Sequence, residues 1–256
     1  MFQVLAFIKY WLRQVDEHSL HPPFIFNLYN EVIKTASSNH IEEIEGLRAK
    51  LLHDQTEVDL IDFGAGSRVS NGTKRQVAEI ARNSSTPAKF SALLLALIKH
   101  FEYKSIFELG TSLGLNTLYL NQNENSNITT FEGDPTLAKI AQQNFSSFGK
   151  KNISVIEGNL DETLEKQVSE VKSIDLAYID ANHRYEPTLH YYELIRSKCH
   201  EKSLIVLDDI HWSKEMNLAW NDIKNRPEVT VSLDLFEGGL LFFDPKLTEG
   251  DYVLKF

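Results

Sequence analysis

The chain has 256 residues, 42% of them apolar and 24% charged, enough for one large domain with an accessory segment and a sizeable core. A net charge of −10 with no Lys/Arg cluster argues against a nucleic-acid partner and for a small-molecule one. Cys199 is the single cysteine, which excludes an intrachain disulfide and a cysteine zinc cluster; a thiol buried on a helix is its expected state.

The N-terminal stretch MFQVLAFIKYWLRQVDEH carries Lys9, Arg13, Asp16 and Glu17. It is too short and too charged to span a bilayer and has no small-residue cleavage site, so a cytoplasmic protein is expected. Phe2, Leu5, Ile8 and Leu12 recur at helical spacing and predict an amphipathic helix. Without a basic polar face, membrane binding is not expected. His21-Pro22-Pro23 breaks the run, a second helix follows to about Lys34, and Asn39 is a candidate cap for a third containing Ile41, Ile44, Leu47 and Leu51. Val58–Ser67 is an apolar run with Gly64 and Gly66 but no third glycine, and a polar loop follows. It reads as an extra strand or extended arm, with Arg68, Lys74 and Arg75 as solvated cations or, in the alternative, one of them touching substrate. Lys74–Asn83 and Pro87–Phe101 read as two more helices. Residues 1–84 thus form a helical extension with an extended arm. It is expected to pack on a main domain at 85–256 as a prop, a lid over the substrate or a homodimer surface.

The main domain is organised around Ser105–Leu120, SIFELGTSLGLNTLYL: a buried strand, a tight turn at Gly110 and Gly114, then a helix for which Thr111, Ser112 and Asn116 are candidate caps. The turn amides are expected to be unpaired and to face a crevice. With Ser112 and Leu115 where a dinucleotide loop needs glycines, a pyrophosphate is not provided for. Glu108 before the turn can accept from an amine, so an amino-acid-like ligand fits better. Asn127–Gly133, NITTFEG, is a second strand ending in Glu132, an acid placed to accept both hydroxyls of a ribose. Asn152–Asn159 is a third strand ending in an amide that can pair with an adenine edge. Further strands are expected near 174–180 and 203–208, and VTVSLDLFEGGLLFFDP reads as a hairpin joined at Gly238-Gly239.

Reactive residues of an open α/β sheet sit at the carboxyl ends of strands. The fourth strand ends with Asp180, Asn182 and His183, the fifth with Asp208, Asp209 and His211. Clustered carboxylates repel one another unless protonated or bound to a cation, and all-oxygen ligands suit magnesium, manganese or calcium. The plainer alternative is that Asp208 and Asp209 cap the next helix while Asp180 faces the ligand. His211 is open between ligand, supporting residue and helix start.

Over residues 85–256 the chain resembles class I S-adenosylmethionine-dependent methyltransferases. The resemblance implies a doubly wound, mostly parallel seven-stranded sheet of Rossmann-like α/β class. It also implies that Glu108, Gly110, Thr111, Ser112 and Gly114 hold the methionine part of the cofactor, Glu132 and Gly133 the ribose, Asn159 the adenine, and that Asp180 lies beside the sulfonium. Asn159 stands where the family usually has Asp. Within the family the chain is similar to divalent-metal-dependent O-methyltransferases, in which Asp180, Asp208 and Asp209 match the metal ligands, Asp209 replacing the usual Asn. His183 replaces the lysine of the catechol and caffeoyl-coenzyme A enzymes, as in macrolide-sugar O-methyltransferases. The implied activity is methyl transfer to a small hydroxylated acceptor, with Mg2+ (or Mn2+ or Ca2+) and with His183 as general base. A metal-independent N- or O-methyltransferase and a non-catalytic cofactor-binding module are the alternatives.

Overall fold

The computed structural model describes residues 2–60, 74–123 and 125–256. The chain divides into two compact units, Met1–Thr35 with Val168–Phe256, and Ala36–Gln167. Of the segment 1–84, residues up to Thr35 fall in the first unit and those from Ala36 in the second.

The first unit opens with α1 (Phe2–Arg13) and α2 (Pro23–Leu28), the latter started by Pro23 in its first turn and continued by a wider turn over Tyr29–Ile33.

The second unit contains α3 (Glu42–Leu51), the short antiparallel pair β1 (Glu57–Asp59) and β2 (Lys74–Gln76), then α4 (Val77–Asn83) and α5 (Ala88–Phe101). Asn39 does not cap α3. Ile41 stands at that position without a side-chain bond, and Asn39 accepts instead from Lys99 Nζ at 3.1 Å. Lys74 and Arg75 lie in β2 rather than in a helix, while Arg68 and most of the 58–67 run lie outside the described residues. α5 is buried without a break from Phe90 to Ile98, as a helix apolar on all sides must be. Then follow β3 (Ser105–Leu109), α6 (Leu115–Leu120), β4 (Asn127–Glu132), α7 (Pro135–Ser147), β5 (Ile153–Glu157) and α8 (Leu160–Glu170). The strands run parallel in the order β3-β4-β5. α7 starts as expected: Asp134 accepts from the amides of Thr136 and Leu137 at 2.7 and 2.9 Å, with Pro135 next. Gly114 sits where a Cβ would stand 2.5 Å from the Phe145 ring, so it is the packing of α6 on α7, together with φ = +79°, that demands glycine there.

The first unit resumes with β6 (Ile174–Ile179), α9 (Tyr185–Arg196), β7 (Cys199–Asp208), α10 (Lys214–Lys224), β8 (Val231–Asp234), β9 (Gly238–Phe242) and β10 (Gly250–Val253). Its strand order is β10-β8-β9-β7-β6, with β9 antiparallel to both neighbours and the other pairings parallel. The hairpin turns at 235–237, where Phe236 has φ = +70°, and not at the glycines. Those glycines lie inside β9, because a Cβ on Gly239 would meet the Trp220 ring at 2.5 Å. Across the two units there are eight such strands, three and five, one more than expected; β10 is the addition. Cys199 begins a strand rather than sitting in a helix, and burial pushes its thiol up to about 12. The chain ends of this unit are knitted together: Tyr10 donates to the Leu254 carbonyl at 2.6 Å, Tyr29 to that of Lys255 at 3.1 Å, and Val15 bridges Leu254.

Candidate active site

In the second unit the turn after β3 is built from backbone bonds. Gly110, at φ = +107°, and Thr111 both donate to the Phe131 carbonyl at 3.1 and 3.0 Å, and Gly114 donates to Thr111 at 2.9 Å. Ser112, at φ = +49°, donates to Glu132 at 2.7 Å. These four amides therefore have protein partners, contrary to the expectation of an open row. None of Thr111, Ser112 and Asn116 caps α6; Gly114 holds that place, and the Thr111 hydroxyl is paired with Thr130 at 2.6 Å.

Glu108 is fully buried beneath this turn. Its carboxylate accepts from Asn116 Nδ2 at 2.9 Å, Thr117 at 2.5 Å and Thr130 at 2.7 Å. The expected contact with a ligand amine is thus replaced by three internal donors, which satisfy a carboxylate that burial would otherwise penalise. The arrangement also fixes the Asn116 amide: its nitrogen is held by Glu108, leaving Oδ1 buried and without a partner, as Ser112 Oγ is also. Two orphaned acceptors beside a glycine turn fit an ammonium donor.

Glu132 ends β4 next to that turn. One of its oxygens accepts from Ser112 and the other from the Asp134 amide at 3.0 Å, and with the Gly133 amide also bearing on the group the carboxylate keeps part of its acceptor capacity. Burial raises its carboxyl to about 7, against the backbone bonds from Asp134, Ser112 and Gly133, which pull it down. Asn159 follows β5. Its oxygen accepts from the Asp161 amide at 3.1 Å and its carbonyl from Glu162 and Thr163, so it starts α8 while its NH2 group remains available.

In the first unit, Asp180 and His183 follow β6. Asn182 and His183 are consecutive left-handed residues, φ = +65° and +47°, a strain of about 1–2 kcal/mol each that is typical of functional turns. His183 Nε2 lies 3.3 Å from Asp180 Oδ1, and Nδ1 is buried without a partner. Burial lowers the imidazole's proton affinity, but the Asp180 hydrogen bond and the charges of Asp180 and Asp209 outweigh it, so the net direction is up. Asp208 ends β7. Burial, then the charges of Asp180 and Asp209, push its carboxyl well above the carboxylate range, and a bond from Tyr178 opposes them. Asp209 has φ = +53° and donates its amide to the Glu237 carbonyl at 2.7 Å. Asp208 thus feels both Asp180 and Asp209. Among the described residues, however, no group of three or more His, Cys, Asp or Glu side chains stands as a closed metal-ligand set. His211 is elsewhere: it pairs with Asp234 at 2.9 Å and Asn217 at 3.1 Å and stacks on Phe236.

Residues 107–210 match the family model of a methyltransferase domain. A Mycobacterium sp. (strain JLS) protein named "Putative O-methyltransferase" is 30% identical over 118 residues, 44% of this chain and 52% of that protein. The chain therefore spans about half the length of the curated relatives it matches. Among solved structures, the SAH-bound methyltransferase PaMTH1 of Podospora anserina superposes with a TM-score of 0.56 at 16% identity, covering 64% of this chain and 81% of that one. The SAH complex of the Bacillus cereus O-methyltransferase gives 0.53 at 17%, covering 61% and 81%. The fold is that of a class I methyltransferase.

On this methyltransferase fold, the sequence pointed to the glycine turn, Glu132, Asn159 and the acids after β6 and β7. It missed Asn116 as an acceptor, Thr117 and Thr130 as the donors that hold Glu108, and Tyr178 beneath Asp208. The signal for the first two was present, since Asn116 and Thr117 lie in the first helical turn after Gly114; only the pairing across β3 and β4 brings in Thr130.

Proposed function

We propose that the protein transfers the methyl group of S-adenosylmethionine to a hydroxyl of a small molecule. The observation that carries the reading is Glu132, pinned at the end of β4 by the Ser112 and Asp134 amides with acceptor capacity left on the carboxylate. Ribose hydroxyls would use that capacity, the methionine ammonium would meet Ser112 Oγ and Asn116 Oδ1, and Asn159 would take the adenine edge. The names of the similar proteins, several of them O-methyltransferases or holding SAH, support the same reading.

The acceptor side is assigned to the first unit. Asp180 holds the N–H of His183 at Nε2, leaving Nδ1 to take the acceptor's proton. Asp180 and Asp208 fit a hydrated divalent cation: no Lys or Arg among the described residues pairs with either, and magnesium is commonly held by one or two carboxylates plus waters and substrate oxygens. Asp209 would add charge. Such a cation, when bound, supplies Lewis acidity toward the hydroxyl. The absence of a closed three-ligand set among the described residues favours the second reading, a metal-independent methyltransferase.

Calorimetry with S-adenosylmethionine, S-adenosylhomocysteine and NAD tests the cofactor. The adenosyl compounds should bind, Glu132→Ala should weaken them roughly 10–100-fold, and NAD should not bind. Binding of NAD alone would refute the reading. An acceptor found by screening phenols, catechols and glycosides then separates the two mechanisms: EDTA stops a metal-assisted reaction and leaves the other untouched. His183→Ala should slow either by roughly 10²–10⁴-fold with cofactor binding intact.

A further inference from the structure

The expected apolar stripe of α1 faces outward. Ala6 and Tyr10 are the residues of this helix that are buried. Leu5, Ile8 and Leu12, which the sequence places against the main domain, are 54%, 46% and 70% exposed, and Val4 and Trp11 are 63% and 61% exposed. At about 100° per residue, Val4, Ile8 and Trp11 stand opposite Ala6 and Tyr10, flanked by Leu5, Leu12 and Phe7. Beyond α1, the large apolar side chains exposed among the described residues are Phe26 and Leu218. A continuous patch of this kind marks an interaction surface.

Charge selects its occupant. The whole chain carries −10, yet Phe2–Arg13 contains no acid and two cations, Lys9 and Arg13. Both border a cavity of about 260 Å³ that Lys224, Asn221, Trp220 and Asp234 also line; Asp234 is paired with His211 at 2.9 Å, and neither Lys9 nor Arg13 forms an ion pair among the described residues. The acids that follow the helix are engaged: Asp16 accepts from the His18 amide, and Glu17 pairs with Lys34. A second copy packed on this face would offer no acid from the same helix to Lys9 or Arg13. An anionic bilayer offers apolar depth to the outward face and phosphates to the cations at its edge, with Trp11 suited to the boundary.

We propose that α1 docks flat on an anionic lipid surface, its outward side chains in the acyl boundary and Lys9 and Arg13 at the level of the phosphates. The expectation against a membrane partner rested on the lack of a basic polar face; the outward apolar face, with no acid on the helix, is what the structure adds. No helix among the described residues is long and apolar enough to cross a membrane, and docking of this kind needs none.

The test is flotation with phosphatidylglycerol vesicles, phosphatidylcholine vesicles as the comparison, at low and high salt. The full chain should float with the anionic vesicles at low salt and much less with the neutral ones. Lys9→Ala with Arg13→Ala should weaken partitioning roughly 30-fold. Ile8→Asp with Trp11→Asp should abolish it while circular dichroism stays unchanged, since both side chains are exposed. Should that double variant misfold, quenching of Trp11 by brominated lipid in the unaltered chain, against Trp11→Phe, gives the same answer. No flotation with either vesicle, or flotation indifferent to lipid charge and to these substitutions, overturns the proposal. So does a dimer in light scattering that Ile8→Asp dissociates in a protein that binds no vesicle, which would give the face to a second copy.

Discussion

Glu132 faces two demands of opposite sign. Its carboxyl, raised to about 7 by burial, keeps its proton in the free protein at pH values where an unfolded chain has lost it. The stability it contributes is full below the ordinary carboxylate value and is lost as pH rises through about 7. Hydroxyl donors favour the ionised form, so affinity for the cofactor runs the other way. Binding of S-adenosylhomocysteine should strengthen about tenfold between pH 6 and pH 8, and Glu132→Gln should flatten that slope in calorimetry. A slope that survives in the variant would mean another group is responsible. Gly114 makes a separate demand. Gly114→Ala combines φ = +79° with a Cβ 2.5 Å from the Phe145 ring, and should cost about 2–4 kcal/mol in urea unfolding. A loss below about 1 kcal/mol would show that Phe145 moves aside cheaply.

At the scale of elements, α1 depends on few attachments. Tyr10→Phe removes the donor to the Leu254 carbonyl and the acceptor of the Phe256 amide. It should lower stability by about 1–2 kcal/mol in urea unfolding, and no change would mean that water replaces both bonds. This helix also shows what sequence patterning could and could not reveal. Period and length were legible, because Phe2, Leu5, Ile8 and Leu12 repeat at 3–4 residues. Which face docks was not, because that is decided by a hydroxyl meeting a carbonyl 244 positions away. β3, β4 and β5 were legible since each carries apolar residues and is closed by a turn signal, whereas β2, with the sequence KRQ, was read as the start of a helix. β10 was not: GDYV is short and polar, and it exists through backbone pairing with β8. The hairpin turn was misplaced for a related reason. Glycine marked a close approach to Trp220, and left-handed Phe236 made the bend. In the candidate site, the acids at strand ends could be read from position alone, whereas the partners of Glu108 required knowing which strands are neighbours.

At the scale of the molecule, ligand and stability are linked. S-adenosylhomocysteine at one hundred times its dissociation constant should add about 2.7 kcal/mol, which for a chain of this size raises the melting temperature by roughly 5–10 °C. Glu132→Ala should lose about half or more of that shift and Asp180→Ala should keep it, because the proposed cofactor contacts lie in the second unit and Asp180 in the first. If Asp180→Ala also abolished the shift, the assignment of cofactor and acceptor to separate units would fail.

The knitting of α1 to Leu254 also has a consequence in time. The ribosome makes about 5–20 residues per second, so roughly 12–50 s separate the synthesis of Tyr10 from that of its carbonyl partner. Residues 36–167 are contiguous and can collapse within that interval, while α1 waits with its apolar side chains uncovered and its docking strand not yet made. Nascent chains stalled after about residue 200 should resist protease across 36–167 and be cut near α1 unless a chaperone, or a lipid surface, shelters it. Protection of α1 at that stage without either would mean the helix finds a seat before β10 exists.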